Sequence, residues 1–153
     1  MYKKNAFTLI ELMIVMAVIA ILIGIILPTI GGFREEANIS RARGDLATLR
    51  TAMESYYIHN NNSYPAALTS LPGSQPRIVA NVPNDPFDPG NQYVLVIEVT
   101  PGNFYAIYSD GPGGDGSVTV NFATGVVTHT VGTSGRGPVW VSNGDEMAPA
   151  DKI

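Results

Sequence analysis

The chain has 153 residues, with 9 Lys and Arg against 13 Asp and Glu, a formal net charge of −4, and no cysteine. This acidic balance deepens once Lys3 and Lys4 are set aside, and it argues against a nucleic-acid partner, because affinity for phosphate backbones rests on Lys and Arg. Without cysteine no disulfide staples the fold, and the length leaves room for one modest core beyond a membrane anchor.

Phe7 to Leu27 form an almost unbroken apolar run whose one ionisable group is Glu11, preceded by Met1 to Ala6 with Lys3 and Lys4. As a helix this run is roughly 30 Å long, the thickness of a bilayer's hydrocarbon core. It exceeds the apolar stretch of an ordinary secretory signal, and Thr29-Ile30-Gly31 is a poor substitute for a small-residue cleavage site, so the run is predicted to stay as a single membrane span. Lys3 and Lys4 before it, against Arg34-Glu35-Glu36 after it, orient its start toward the cytoplasm and place the bulk of the chain on the far side of that membrane.

A carboxylate in lipid costs a few kcal/mol and is kept mainly when it has a partner. Two partners are open to Glu11. Thr8 and Glu11 have the T-x-x-E spacing of a capping box, which holds Glu11 near the helix start. Alternatively, a cut between Ala6 and Phe7 creates an N-terminal ammonium that the Glu11 of a neighbouring subunit neutralises as apolar helices bundle. At the far end, Pro28 lacks an N–H and clashes with the carbonyl of Gly24, itself a weak helix former, so one helical turn is weakened there. That turn either yields under tension or simply kinks the chain out of the membrane, and Gly31-Gly32 adds a second soft point.

From Phe33 to about Asn60, Ile39, Ala42, Leu46, Leu49, Met53 and Tyr56 recur three or four positions apart, the narrow stripe of an amphipathic helix that packs on a sheet. Arg34, Glu35, Arg41, Arg43, Asp45, Arg50 and Glu54 are assigned to its other faces, with Arg41–Asp45 and Arg50–Glu54 as i, i+4 pairs. Asn60-Asn61-Asn62 ends the helix. In the loop that follows, Tyr64-Pro65, Leu68 and Leu71 read as packing anchors, and the Pro-rich stretch Pro83 to Asn91 cannot be a central strand. Tyr93–Val99 and Phe104–Tyr108, joined by Thr100-Pro101-Gly102-Asn103, predict one hairpin; Val118–Phe122 and Val126–Val131, joined through Ala123-Thr124-Gly125, predict a second. Val139-Trp140-Val141 is expected to dock, and Asn143 to Ile153 to form a loose acidic tail.

The predicted class is therefore α+β: a long N-terminal helix, transmembrane in its first half and amphipathic in its second, packed on a small antiparallel sheet. The expected division is a leader at 1–6, a hydrophobic helix at 7–30, a globular domain at 31–142 and the tail at 143–153. His59 and His129 lack metal-ligand spacing, and no nucleophile elbow or phosphate loop is present, so no enzyme is expected.

The basic leader, Phe7-Thr-Leu-Ile-Glu11, the apolar run and Pro28 together resemble the prepilin signature shared by type IV pilins and type II secretion pseudopilins, with Ala6 standing where that family usually has Gly. The resemblance implies cleavage between Ala6 and Phe7 by a prepilin peptidase, N-methylation of Phe7, and a role for Glu11 in filament assembly. Asp85-Pro86-Phe87, Asn91-Gln92-Tyr93 and the segment Tyr105 to Gly116 resemble the major pseudopilins of type II secretion, whose corresponding loop binds one calcium ion. Here Ser109, Asp110 and Asp115 are the side chains that this likeness offers to calcium. No other cofactor is implied. The expected partners are further copies of the chain, minor pilins or pseudopilins, the peptidase and an inner-membrane assembly platform. The first expectation is a type II secretion major pseudopilin; a type IV pilus subunit and a solitary single-pass binding protein are the alternatives.

Overall fold

The computed structural model describes residues 7–26, 30–98, 104–133 and 135–146. Two compact units divide the chain, residues 1–36 and 37–153, a boundary six positions later than the sequence division at 30/31. Helix α1 (Leu9–Ile26) belongs to the first unit, and helix α2 (Ile30–His59) runs through the boundary.

The stripe read from the sequence is the buried face of α2. Ile39, Ala42, Leu46, Leu49 and Met53 are buried, joined by Ala52, while Tyr56 is partly buried. Withdrawing four large side chains of this set from water contributes roughly 6–12 kcal/mol. Positive φ at Asn61 and Asn62 turns the chain after the helix, and the Asn62 N–H donates to Tyr57 O at 3.1 Å. Leu68 and Leu71 are buried from a short 3-10 helix at Leu68–Gly73, as their reading as anchors requires.

The strands are β1 (Val94–Ile97), β2 (Tyr105–Ser109), β3 (Ser117–Asn121), β4 (Val126–Thr130), β5 (Val139–Ser142) and β6 (Asp145–Glu146). Both predicted hairpins are present, β1 with β2 and β3 with β4. Gly125, at φ 74°, closes the second, and its Cα lies against the Phe104 ring, where a Cβ would come within 2.5 Å. The turn of the first hairpin lies outside the described residues.

The single sheet expected from sequence is instead two sheets of three strands, ordered β1-β2-β5 and β3-β4-β6. Strand alternation explains why both are needed. Tyr105 and Ile107 face the α2 core, whereas Ala106 joins Val118, Val120 and Val127 in a second core, flanked by Val96, Tyr108 and Trp140. β2 is thus covered on both faces and is the middle of three layers. The expected loose tail at 143–153 also needs correction. Asp145 and Glu146 pair in parallel with Val126 and Val127, the Tyr105 N–H donates to Asn143 Oδ1 at 2.8 Å, and residues 147–153 lie outside the described residues.

Two carboxylates assigned to the faces of α2 outside its apolar stripe prove to be structural. The hydroxyls of Tyr64 and Tyr105 donate to Glu54 Oε2 and Oε1 at 3.0 and 2.9 Å, and the Tyr93 hydroxyl donates to Asp45 Oδ2 at 3.0 Å. The predicted Arg41–Asp45 pair forms at 3.7 Å, whereas both Glu54 oxygens serve tyrosines rather than Arg50. Tyr64 stacks on Tyr57 at 4.5 Å and meets Tyr105 edge-on at 4.8 Å. Burial, then the Glu54 charge, pushes the Tyr64 hydroxyl from 10.0 up to about 12; burial and the Glu54 hydrogen bond raise Tyr105 further.

Glu54→Ala leaves two tyrosine hydroxyls without their acceptor and is expected to cost about 3 kcal/mol in denaturant unfolding, with Glu54→Gln costing less. A raised tyrosine pKa stabilises the fold fully below the unfolded value of 10.0, and this contribution is lost as pH climbs toward about 12. Unfolding midpoints in urea should accordingly fall steadily across that window, and less steeply in Tyr64→Phe.

Candidate functional site

Leucine, isoleucine, methionine and alanine carry α1, and Thr8 starts it. The Glu11 N–H donates to Thr8 Oγ1 at 3.3 Å, while the Thr8 N–H and hydroxyl donate to Glu11 Oε2 at 3.5 and 3.4 Å. This is the reciprocal capping box the spacing predicts, with bonds at the long end of the hydrogen-bond range. Among the described residues nothing donates to Oε1. Glu11 is therefore held in the first turn by weak bonds.

Every residue of α1 is exposed, its large apolar side chains from Leu9 at 77% to Val15 at 48%. Of the described helices, α1 alone has the length and composition to cross a membrane. A helix apolar on all faces is satisfied by lipid or by other apolar helices. Gly24 continues it with nothing within 4 Å of where a Cβ would stand, so no close approach within the chain requires a glycine there. Ala6 and Pro28 lie outside the described residues.

The loop between β2 and β3 separates the three side chains that the family likeness offers to calcium. Ser109 is fully buried; its hydroxyl donates to Asp85 Oδ1 at 2.9 Å and accepts from the Gly111 N–H at 3.2 Å. Asp85 Oδ1 also accepts from the Phe87 N–H at 2.8 Å, so this bond ties the Pro-rich stretch to the end of β2. Asp115 Oδ2 accepts from both the N–H and the hydroxyl of Thr133, at 2.6 and 2.5 Å, and these bonds lower its pKa. Asp110 remains, its pKa raised by burial and by the charges of Asp85, Asp88 and Asp115. Among the described residues no three His, Cys, Asp or Glu side chains gather as a metal site. Ser109 is thus a buried link between Asp85 and the start of the loop. His59 Nδ1 bonds its own helix at Ser55 O, 2.8 Å away, and the His129 ring lies 6.2 Å from Trp140.

A family model for the prokaryotic N-terminal methylation motif matches residues 1–27, and one for type II secretion system protein G matches residues 29–120. The chain belongs to the type II secretion system protein G family, the major pseudopilins. Within this family it is 32% identical over 129 residues to type II secretion system core protein G of Escherichia coli, covering 74% of this chain and 85% of that one. It is 28% identical to that of Dickeya chrysanthemi, covering 88% of this chain and 97% of the relative. A shorter stretch of 59 residues is 48% identical to fimbrial protein EcpB of Eikenella corrodens, covering 39% of this chain and 37% of that protein. No solved structure matches. The relatives in this family are structural pseudopilins, and membership implies a place in a pseudopilus with other components. The methylation motif and the apolar α1 point to membrane anchoring.

Sequence reasoning missed Asp85–Ser109 and Asp115–Thr133, pairs 24 and 18 positions apart with no local signature. For the cap, Thr8→Ala is expected to cost about 1 kcal/mol, read as roughly fivefold faster exchange of the Glu11 amide in detergent micelles.

Proposed function

We propose that this chain is the repeating subunit of a type II secretion pseudopilus, made as a precursor, cut between Ala6 and Phe7 by a prepilin peptidase and methylated on the new Phe7 amine. The observation that carries this is the pairing, in one chain, of an N-terminal methylation motif at 1–27 with a protein G match that continues through 120. The 48% likeness to a fimbrial protein spans only 59 residues and does not extend the argument for a pilus.

In this reading the precursor sits in the bacterial inner membrane, with Lys3 and Lys4 on the cytoplasmic side and the second unit in the periplasm. Cleavage liberates an ammonium four positions from Glu11. Burying Glu11 alone in the apolar zone costs about 3 kcal/mol, whereas an ammonium at 4 Å returns about 4 kcal/mol at an effective dielectric of 20. The pairing therefore roughly cancels the penalty when a neighbour's Phe7 is in register and leaves it standing when it is not. It sets axial register. Adhesion comes from packing, since lipid is as apolar as leucine and only close contact favours helix over lipid; Ala17, Ala20 and Gly24, spaced three and four positions apart, let helices approach closely. The long Thr8–Glu11 bonds support the same reading, because they hold the carboxylate in place without strongly opposing its transfer to the amine. Minor pseudopilins and an inner-membrane platform are the further partners of this assembly.

Glu11→Ala should leave a folded, membrane-anchored subunit that no longer enters fibres and no longer supports secretion, scored by electron microscopy of sheared fibres and by cargo in the medium. Fibres of normal abundance from this variant, or a mature mass that still includes residues 1–6, would overturn the proposal.

A further inference from the structure

Residues 110–116, between β2 and β3, form a loop closed by its own backbone. The Gly116 N–H donates to Asp110 O at 3.2 Å across its neck, and the Gly114 N–H donates to Gly111 O at 3.0 Å inside it. The loop also presses on the segment that leads into β5. At Gly111, with φ at 79°, a Cβ would lie 2.7 Å from Gly137 O, and at Gly116 one would lie 3.1 Å from the Pro138 nitrogen.

Each end of the loop is fastened by a side chain. At the entry, the Ser109 hydroxyl joins Asp85 to the Gly111 N–H. At the exit, Asp115 Oδ2 takes both Thr133 donors, and the carboxylate lies so close over Gly132 that a Cβ there would stand 1.7 Å from Oδ1. Gly132 is the residue that makes room for this arrangement, since any side chain would displace the carboxylate. Two donors on one anionic oxygen give a short, charge-assisted link, stronger than an ordinary neutral pair.

We infer that the Asp115–Thr133 clamp, seated over Gly132, fastens the β2–β3 loop to the segment that follows β4 without the calcium ion that the loops it resembles bind, so that the domain folds without metal. A calcium ion needs six to eight oxygen ligands. Here Asp115 Oδ2 holds the two Thr133 donors and the Ser109 hydroxyl is engaged with Asp85 and the Gly111 N–H, which leaves Asp110 as the one carboxylate of the three side chains without such a tie among the described residues. The inference concerns the folded domain and stands apart from fibre assembly, so a failure of either leaves the other intact.

The test is thermal unfolding of the full chain in detergent micelles, followed by near-ultraviolet circular dichroism, with excess EDTA and with millimolar calcium chloride. The expected result is the same midpoint in both. Thr133→Ala should lower the midpoint by roughly 5 °C in both solutions, and Thr133→Ser, which keeps the hydroxyl, should restore it. A wild-type midpoint several degrees lower in EDTA and recovered by calcium would overturn the inference, as would a Thr133→Ala midpoint equal to wild type. The wild-type comparison decides the matter even if a variant does not fold.

Discussion

The rotation of α2 about its own axis is fixed by two carboxylates that flank its apolar stripe. Asp45 and Glu54 are nine positions apart, which at about 100° per residue puts them half a turn from each other, on opposite borders of the buried face. Tyr93 reaches one, and Tyr64 and Tyr105 reach the other. An apolar stripe by itself tolerates some rolling and sliding, because hydrophobic attraction has no direction. Hydrogen bonds at both borders are satisfied at a single roll and a single height. Burial supplies most of the stabilisation, and these bonds select which packing receives it.

From that seating the outer layers follow. Tyr105 brings β2 onto the helix, Asn143 binds the Tyr105 N–H and donates to the Tyr64 hydroxyl, and the chain after Asn143 lies beside β4. β2 then offers a second face, through Ala106 and Tyr108, on which the second sheet closes. Thr119 and Thr128 pair across the exposed surface of that sheet at 2.8 Å, where polar residues belong.

The elements visible in the sequence are those with a local signature: the capping box at Thr8 and Glu11, the three-and-four spacing from Ile39 to Met53, and two hairpins whose strands are near neighbours in the chain. Others depend on partners far away. β5 holds only a three-residue apolar segment, Val139 to Val141, among Gly, Ser and Pro, and it becomes a strand by pairing with the edge of β2. β6 is acidic and short, with no strand signature of its own. Asp45 and Glu54 carried a faint signal, acidic side chains at the margin of an apolar stripe in a chain with seven tyrosines. The likeness to calcium loops placed Ser109 by residue type, and only the fold shows its hydroxyl turned inward to Asp85.

α1 contributes no side chain to either core, and every residue along it is exposed. Its surroundings can consequently change without disturbing the globular unit. On the proposed reading the globular unit stays folded whether α1 lies in lipid or among other apolar helices, and the work of that exchange is spent on transfer between two greasy media.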